Sequence, residues 1–142
     1  MKKTFKAIIS VLLVAVIVVA CFTACSNNES KSDKVYKVGI CQLTQHEALD
    51  AATKGFRDAL TEKLGDKVVF DEQNASGEST NCTTIVSKFV SDKVDLILAN
   101  ATPALTAATE ATSTIPIVGT SITDYATALA ISDWNGKTGI NV

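Results

Sequence analysis

Between Val35 and Leu64 the hydrophobic period of the chain changes from that of a strand to that of a helix, and this change restricts the available folds. Val35, Val38, Ile40 and Cys41 form a short apolar run of strand length, interrupted by Gly39 and ended by Gln42. Gln42–Thr44 reads as a polar loop. Beyond it Ala48, Leu49, Ala52, Phe56, Ala59, Leu60 and Leu64 recur at spacings of three and four, an apolar stripe along one helix face. Thr44 and Glu47 have the spacing of a capping box, with His46 as the alternative cap, and Gly65 stands where a C′ glycine ends a helix. A strand entering a helix through a polar loop aims the free N–H groups of the helix start across the sheet edge.

The same alternation continues. Lys67–Phe70 reads as a second strand, and DEQNASGEST after it as a loop full of turn residues. A helix follows over about Glu78–Asp92, with Cys82, Ile85, Val86, Phe89 and Val90 on its inner face. Val94–Ala99 is continuously apolar, as a strand covered on both faces requires. Asn100–Thr102 forms a polar joint, Pro103 opens a third helix to Thr112, and Ile115–Val118 is a fourth strand ended by Gly119, Thr120 and Ser121. Asp124–Leu129 reads as one or two helical turns and Ala130–Ser132 as a short extended piece. The order β-α-β-α-β-α-β predicts an α/β fold, a parallel sheet with helices on both faces and right-handed crossovers.

The first residues read differently. Lys2, Lys3 and Lys6 precede an uncharged run, Ala7–Ala24, that ends in Ala-Cys. The apolar run before Cys21 is shorter than the ~20 residues of a membrane-spanning helix, so residues 1–24 read as a signal peptide. Both Val18–Cys21 and Phe22–Cys25 resemble a lipobox, whose cysteine becomes a lipidated N-terminus. Cys25 is the expected site because the polar tether of residues 25–34, expected to be disordered, starts there; Cys21 is the alternative. Without the three leader lysines, ten basic residues face fifteen acidic ones, a formal charge of −5. An acidic exported domain has no basic stripe for nucleic acid, and none is expected as a partner. Cys41 and Cys82 are too few for a disulfide framework and read as buried free thiols.

Ligands of open parallel sheets bind outside the carboxyl ends of the strands. Three such ends are polar: Gln42–His46, Asn100–Thr102 and Gly119–Ser121. They suit a small polar or zwitterionic ligand, although caps and turns use the same residue types. His46 and Asp50 lie four apart, but no nucleophile is marked beside them and no GxSxG occurs. His46, Glu47 and Asp50 are too few ligands for zinc, and neither Walker A nor GxGxxG is present. No cofactor, metal site or enzymatic activity is expected.

At VGICQLTQHEALDAATKGFRDAL, LILANATPALTAAT and IPIVGTSITDYATAL the sequence resembles the ABC-transporter substrate-binding lipoproteins of the tryptophan/tyrosine type. The resemblance implies two periplasmic-binding-protein-like α/β lobes closing on an amino acid, of which residues 35–142 would be lobe one, with the second lobe missing. It assigns ligand contacts to Gln42, Gln45, His46, Asn100, Thr102, Thr120 and Ser121. It further implies ABC permease subunits as partners and a lipid anchor on the extracytoplasmic face of the cell membrane. Two rival readings share the pattern. One is an extracytoplasmic sensing domain that signals to a membrane partner. The other, a receiver-like domain, is disfavoured by the leader and by the lack of acidic residues ending the first strand.

The leader reading makes a chemical prediction. A radioactive fatty acid should label the protein, and Cys25→Ser should abolish the label. Label that survives this change and disappears in Cys21→Ser moves the anchor to the earlier cysteine.

Overall fold

The computed structural model describes residues 34–142, so the leader, Cys21, Cys25 and the tether up to residue 33 lie outside the described residues. In chain order the elements are β1 (Tyr36–Gln42), α1 (Glu47–Leu64), a 3-10 turn (Gly65–Lys67), β2 (Val68–Asn74), α2 (Ser79–Ser91), β3 (Leu96–Asn100), α3 (Thr102–Ala111), β4 (Ile117–Thr120) and the short α4 (Tyr125–Ala128). The strands form one parallel sheet in the order β2-β1-β3-β4. This is the expected α/β fold.

Side-chain alternation divides the core between the two faces of the sheet. On one face Val38, Ile40, Val68 and Leu98 meet the apolar stripe of α1 through Phe56, Leu60 and Leu64. On the other, Cys41, Ile97, Ala99 and Ile117 pack against α2 (Cys82, Val86, Phe89) and α3 (Ala104, Leu105, Ala107, Ala108). The helix between β1 and β2 thus covers one face, and the two that follow cover the other. Gly39 is what lets α2 lie so close to β1: a Cβ there would stand 2.6 Å from Cδ2 of Phe89, whose ring is fully buried. A salt bridge adds to this seam, with Lys88 of α2 between Asp71 of β2 and its own Asp92. Asp71 is held below the usual carboxylate range by hydrogen bonds from Gln73 and Lys88, and Lys88 is pushed up to about 12 by its two carboxylates.

Several boundaries depart from expectation, each for a local reason. β2 runs four residues beyond Phe70, through Asp71–Asn74, because β1 pairs with it over its whole length, from Tyr36 opposite Val68 to Gln42 opposite Asn74. An edge strand tolerates these polar side chains, and Arg57, Gln73 and Lys88 partner them. β4 begins at Ile117 instead of Ile115 and reaches Thr120, in register with β3 from Ile97 to Asn100. Pro116 has no N–H to give a ladder, although its carbonyl accepts from Ile97. Ala130–Ser132 is not a strand: Ala130 sits in the left-handed region, with φ 52°, at a turn after α4. Of the two proposed caps for α1, His46 forms: its Nδ1 accepts from the Ala48 N–H at 3.2 Å, and Gly65 (φ 59°) ends the helix.

Gly39→Ala should therefore overpack the α2 seam and cost about 1–3 kcal/mol in urea unfolding. In a Phe89→Ala background the same change should cost less, because the ring atoms it strikes, Cγ, Cδ2 and Cε2, are gone.

Candidate functional site

The register sets the last residues of all four strands side by side. Asn74 lies opposite Gln42, Gln42 opposite Asn100, and Asn100 opposite Thr120. The three polar segments singled out in the sequence therefore share the carboxyl edge of one sheet. Their side chains behave differently. Gln45, His46 and Ser121 are exposed, Thr102 and Thr120 half-buried, and Gln42 and Asn100 buried.

Gln42 and Asn100 are joined through a residue the sequence reading passed over, Thr53 of α1, itself buried. The Thr53 hydroxyl donates to Gln42 Oε1 at 2.7 Å and accepts from Asn100 Nδ2 at 2.9 Å. Asn100 Nδ2 also donates to the Leu49 carbonyl at 2.8 Å, and Gln42 Nε2 donates to Asp50 Oδ1 at 2.6 Å and the Thr44 carbonyl at 2.9 Å. Both hydrogens of each amide are thereby engaged. The Asn100 Oδ1, buried, has no protein donor. The readable signal for Thr53 was a polar residue inside the stripe that Leu49 and Phe56 define.

The next residue is strained. Ala101 stands at φ 102°, a region alanine rarely adopts, with its N–H donating to the Thr120 carbonyl at 3.0 Å and its carbonyl accepting from Leu105 at 3.1 Å. It precedes α3, whose start has no side-chain cap; nor has the start of α2, after Glu78. By contrast His46 caps α1 and Asp124 caps α4, its carboxylate held low by Thr127.

Two clefts lie along this edge. One, of about 240 Å³, is lined by Gln42, Gln45, Asp50, Glu72, Gln73 and Asn74. The other, of about 330 Å³ between α2 and α3, has Ser79, Thr83, Thr102 and Thr106 in its wall, with Glu110. The sequence candidates are thus divided: Gln42 and Gln45 line the first cleft, Thr102 the second, and His46, Asn100, Thr120 and Ser121 line neither. Ser79 and Thr83 were missed because a hydroxyl in the first turns of a helix reads as a cap. Among the described residues no cluster of His, Cys, Asp and Glu could hold a metal ion, and no helix is long and apolar enough to cross a membrane.

Known proteins share this architecture. The family model of the ABC transporter substrate binding proteins matches residues 37–142. A tyrosine-binding protein of Clostridioides difficile (strain R20291) is 42% identical over 132 residues, which cover 84% of this chain and 38% of that protein. The ligand-free, open structure of a substrate-binding protein with adhesive properties from Clostridium difficile superposes with a TM-score of 0.70 at 42% identity, over 76% of this chain and 37% of that one. An ABC domain in complex with L-Trp from Streptococcus pneumonia gives 0.68 at 33% identity, over 75% and 37%. The chain thus spans less than two-fifths of the length of these relatives.

Cys41, next to Gln42, and Cys82, in the first turn of α2, are both free and fully buried. Burial pushes both thiols up, Cys41 most, and the neighbouring Cys82 raises it further. Since the thiolate is the reactive form, neither should react with iodoacetamide at pH 8 in the native chain, and both should after unfolding in urea. Rapid native labelling located at Cys41 or Cys82, as distinct from Cys21 and Cys25, would mean that α2 opens at its first turn.

Proposed function

The chain belongs to the ABC transporter substrate-binding proteins, a ligand-binding and not a catalytic family, and on that premise we propose that it supplies one ligand-facing lobe of an importer's receptor. Its ligand is an amino acid, an aromatic one, taken up outside the cytoplasm and passed to permease subunits. The observation that carries this reading is the family match over residues 37–142, with relatives that bind tyrosine and hold L-Trp. The single row of strand ends supports it. The uncapped start of α3 beside Thr102 offers N–H groups to a carboxylate. Gln45, His46, Thr120 and Ser121 stand accessible on the same edge, with Gln42 and Asn100 behind them. The lipid anchor at Cys25 would hold the lobe at the outer membrane face, as the leader suggests.

In this reading the ligand is enclosed between two lobes, and closure is driven by contacts that only the closed form makes. One lobe alone offers an open face, where hydrogen bonds compete with water and are worth about 0.5–1.5 kcal/mol each. Enclosing an aromatic side chain adds about 1.5–3 kcal/mol, which an open face largely forgoes. Since about 1.4 kcal/mol is a factor of ten, a micromolar site divided in this way becomes millimolar or weaker.

Calorimetry of the 142-residue chain with tryptophan, tyrosine and phenylalanine should show no binding tighter than about millimolar. A chain joined to a second lobe should bind one of them far more tightly. Micromolar binding by the lone lobe would overturn the shared cleft.

A further inference from the structure

We infer that Thr53 is a positioning residue of the ligand rim, whose single hydroxyl sets the orientation of Gln42 and Asn100 and, through them, of the loop that carries Gln45 and His46. The inference rests on the reading of this edge as a ligand site. It starts from proton counting. A threonine hydroxyl has one proton, and here Gln42 Oε1 receives it at 2.7 Å. Only a lone pair is then left for Asn100, which must present Nδ2, as it does at 2.9 Å. The Leu49 carbonyl demands a donor from the same nitrogen at 2.8 Å. Asn100 is thereby turned with Oδ1 away from both partners, and it is this oxygen that has no protein donor.

The consequence for Gln42 is parallel. With Oε1 held by Thr53, its Nε2 faces the Thr44 carbonyl and Asp50, which pins the loop between β1 and α1 from inside. Asp50 and Thr53 are one helical turn apart, so α1 grips the loop and the end of β3 with neighbouring side chains. Thr53 touches no cleft-lining surface itself, being buried, and acts only through the two amides. Sites are precise when the groups that meet the ligand are held by a second layer of hydrogen bonds, and here the Thr53 hydroxyl is the shortest link between the two amides, whose direct contact, Asn100 Nδ2 to Gln42 Oε1, is 3.4 Å.

The test uses the ¹⁵N-labelled 142-residue chain with tyrosine and tryptophan as probes, comparing Thr53→Val and Thr53→Ser. In Thr53→Val the side-chain amide signals of Gln42 and Asn100 should move and exchange with water about tenfold faster, the protection that one hydrogen bond gives. The ligand-induced shifts at the Gln45 and Thr102 amides should be lost. Thr53→Ser, which keeps the hydroxyl, should restore both. If Thr53→Val lowers the melting temperature yet leaves the amide signals and the ligand response intact, the residue only packs and the inference is overturned. Should Thr53→Val not fold, the wild type decides: a Thr53 hydroxyl proton in slow exchange and close to Gln42 supports the inference, and a freely exchanging one overturns it. If the wild type responds to neither amino acid, as an open lobe weaker than millimolar would, the amide signals alone decide: unchanged signals in Thr53→Val overturn the inference, and moved signals restored by Thr53→Ser support it.

Discussion

Parallel pairing forces every strand of this sheet to end on the same side, and everything chemically notable about the molecule follows from how those ends are satisfied. The residue after each strand donates to the last carbonyl of the neighbour: Ala75 to Gln42, Leu43 to Asn100 and Ala101 to Thr120. The ladder thus continues one step past the strands and uses the carbonyls of the rim. What remains to meet a ligand is therefore side chains and the free N–H groups of helix starts. Two helices have these groups covered by their own caps, His46 and Asp124, and two do not. The uncovered pair, α2 and α3, pack side by side on one face, which puts the positive ends of two helix dipoles together.

Which parts of this were legible in the residues can be stated physically. The alternation of elements was, because VDLILA and the α1 stripe differ in period and no other layer arrangement buries both. Edge strands were less so. β2 continues through Asp71–Asn74, where polarity suggested a loop, since backbone pairing with β1 outweighs side-chain preference at an edge. The rim was visible as three polar segments, and the sheet does bring them to one edge. Their orientation was not visible. Nothing local to Gln42 or Asn100 shows that both turn inward to Thr53, because the contacts join residues 11 and 47 apart in sequence. Nor does the pattern around Cys41 and Cys82 say more than burial, whereas their adjacency depends on the closeness of α2 that Gly39 permits.

The two apolar layers are unequal in a way that bears on the site. The layer under α2 and α3 holds Phe89, Leu105, Val86 and the alanines of α3, small side chains that let two helices lie close to the sheet. The layer under α1 is thinner, with Val38, Ile40, Val68 and Leu98 at its centre. The only fully buried residue of α1 is Thr53, so polar contacts near its N-terminal half help to seat it.

Ala101 carries the backbone strain of the rim, next to the buried Asn100. A non-glycine residue held at φ 102° costs on the order of 1–3 kcal/mol. That is a sizeable part of the roughly 5–15 kcal/mol by which a domain is stable. The surrounding structure over-determines both residues: β3 is hydrogen-bonded on each side, and Ala101 is clamped between Thr120 and Leu105. Strain of this kind holds the start of α3 and the Asn100 amide in one geometry before anything binds. On the proposed ligand reading, less conformational freedom is then left for binding to remove.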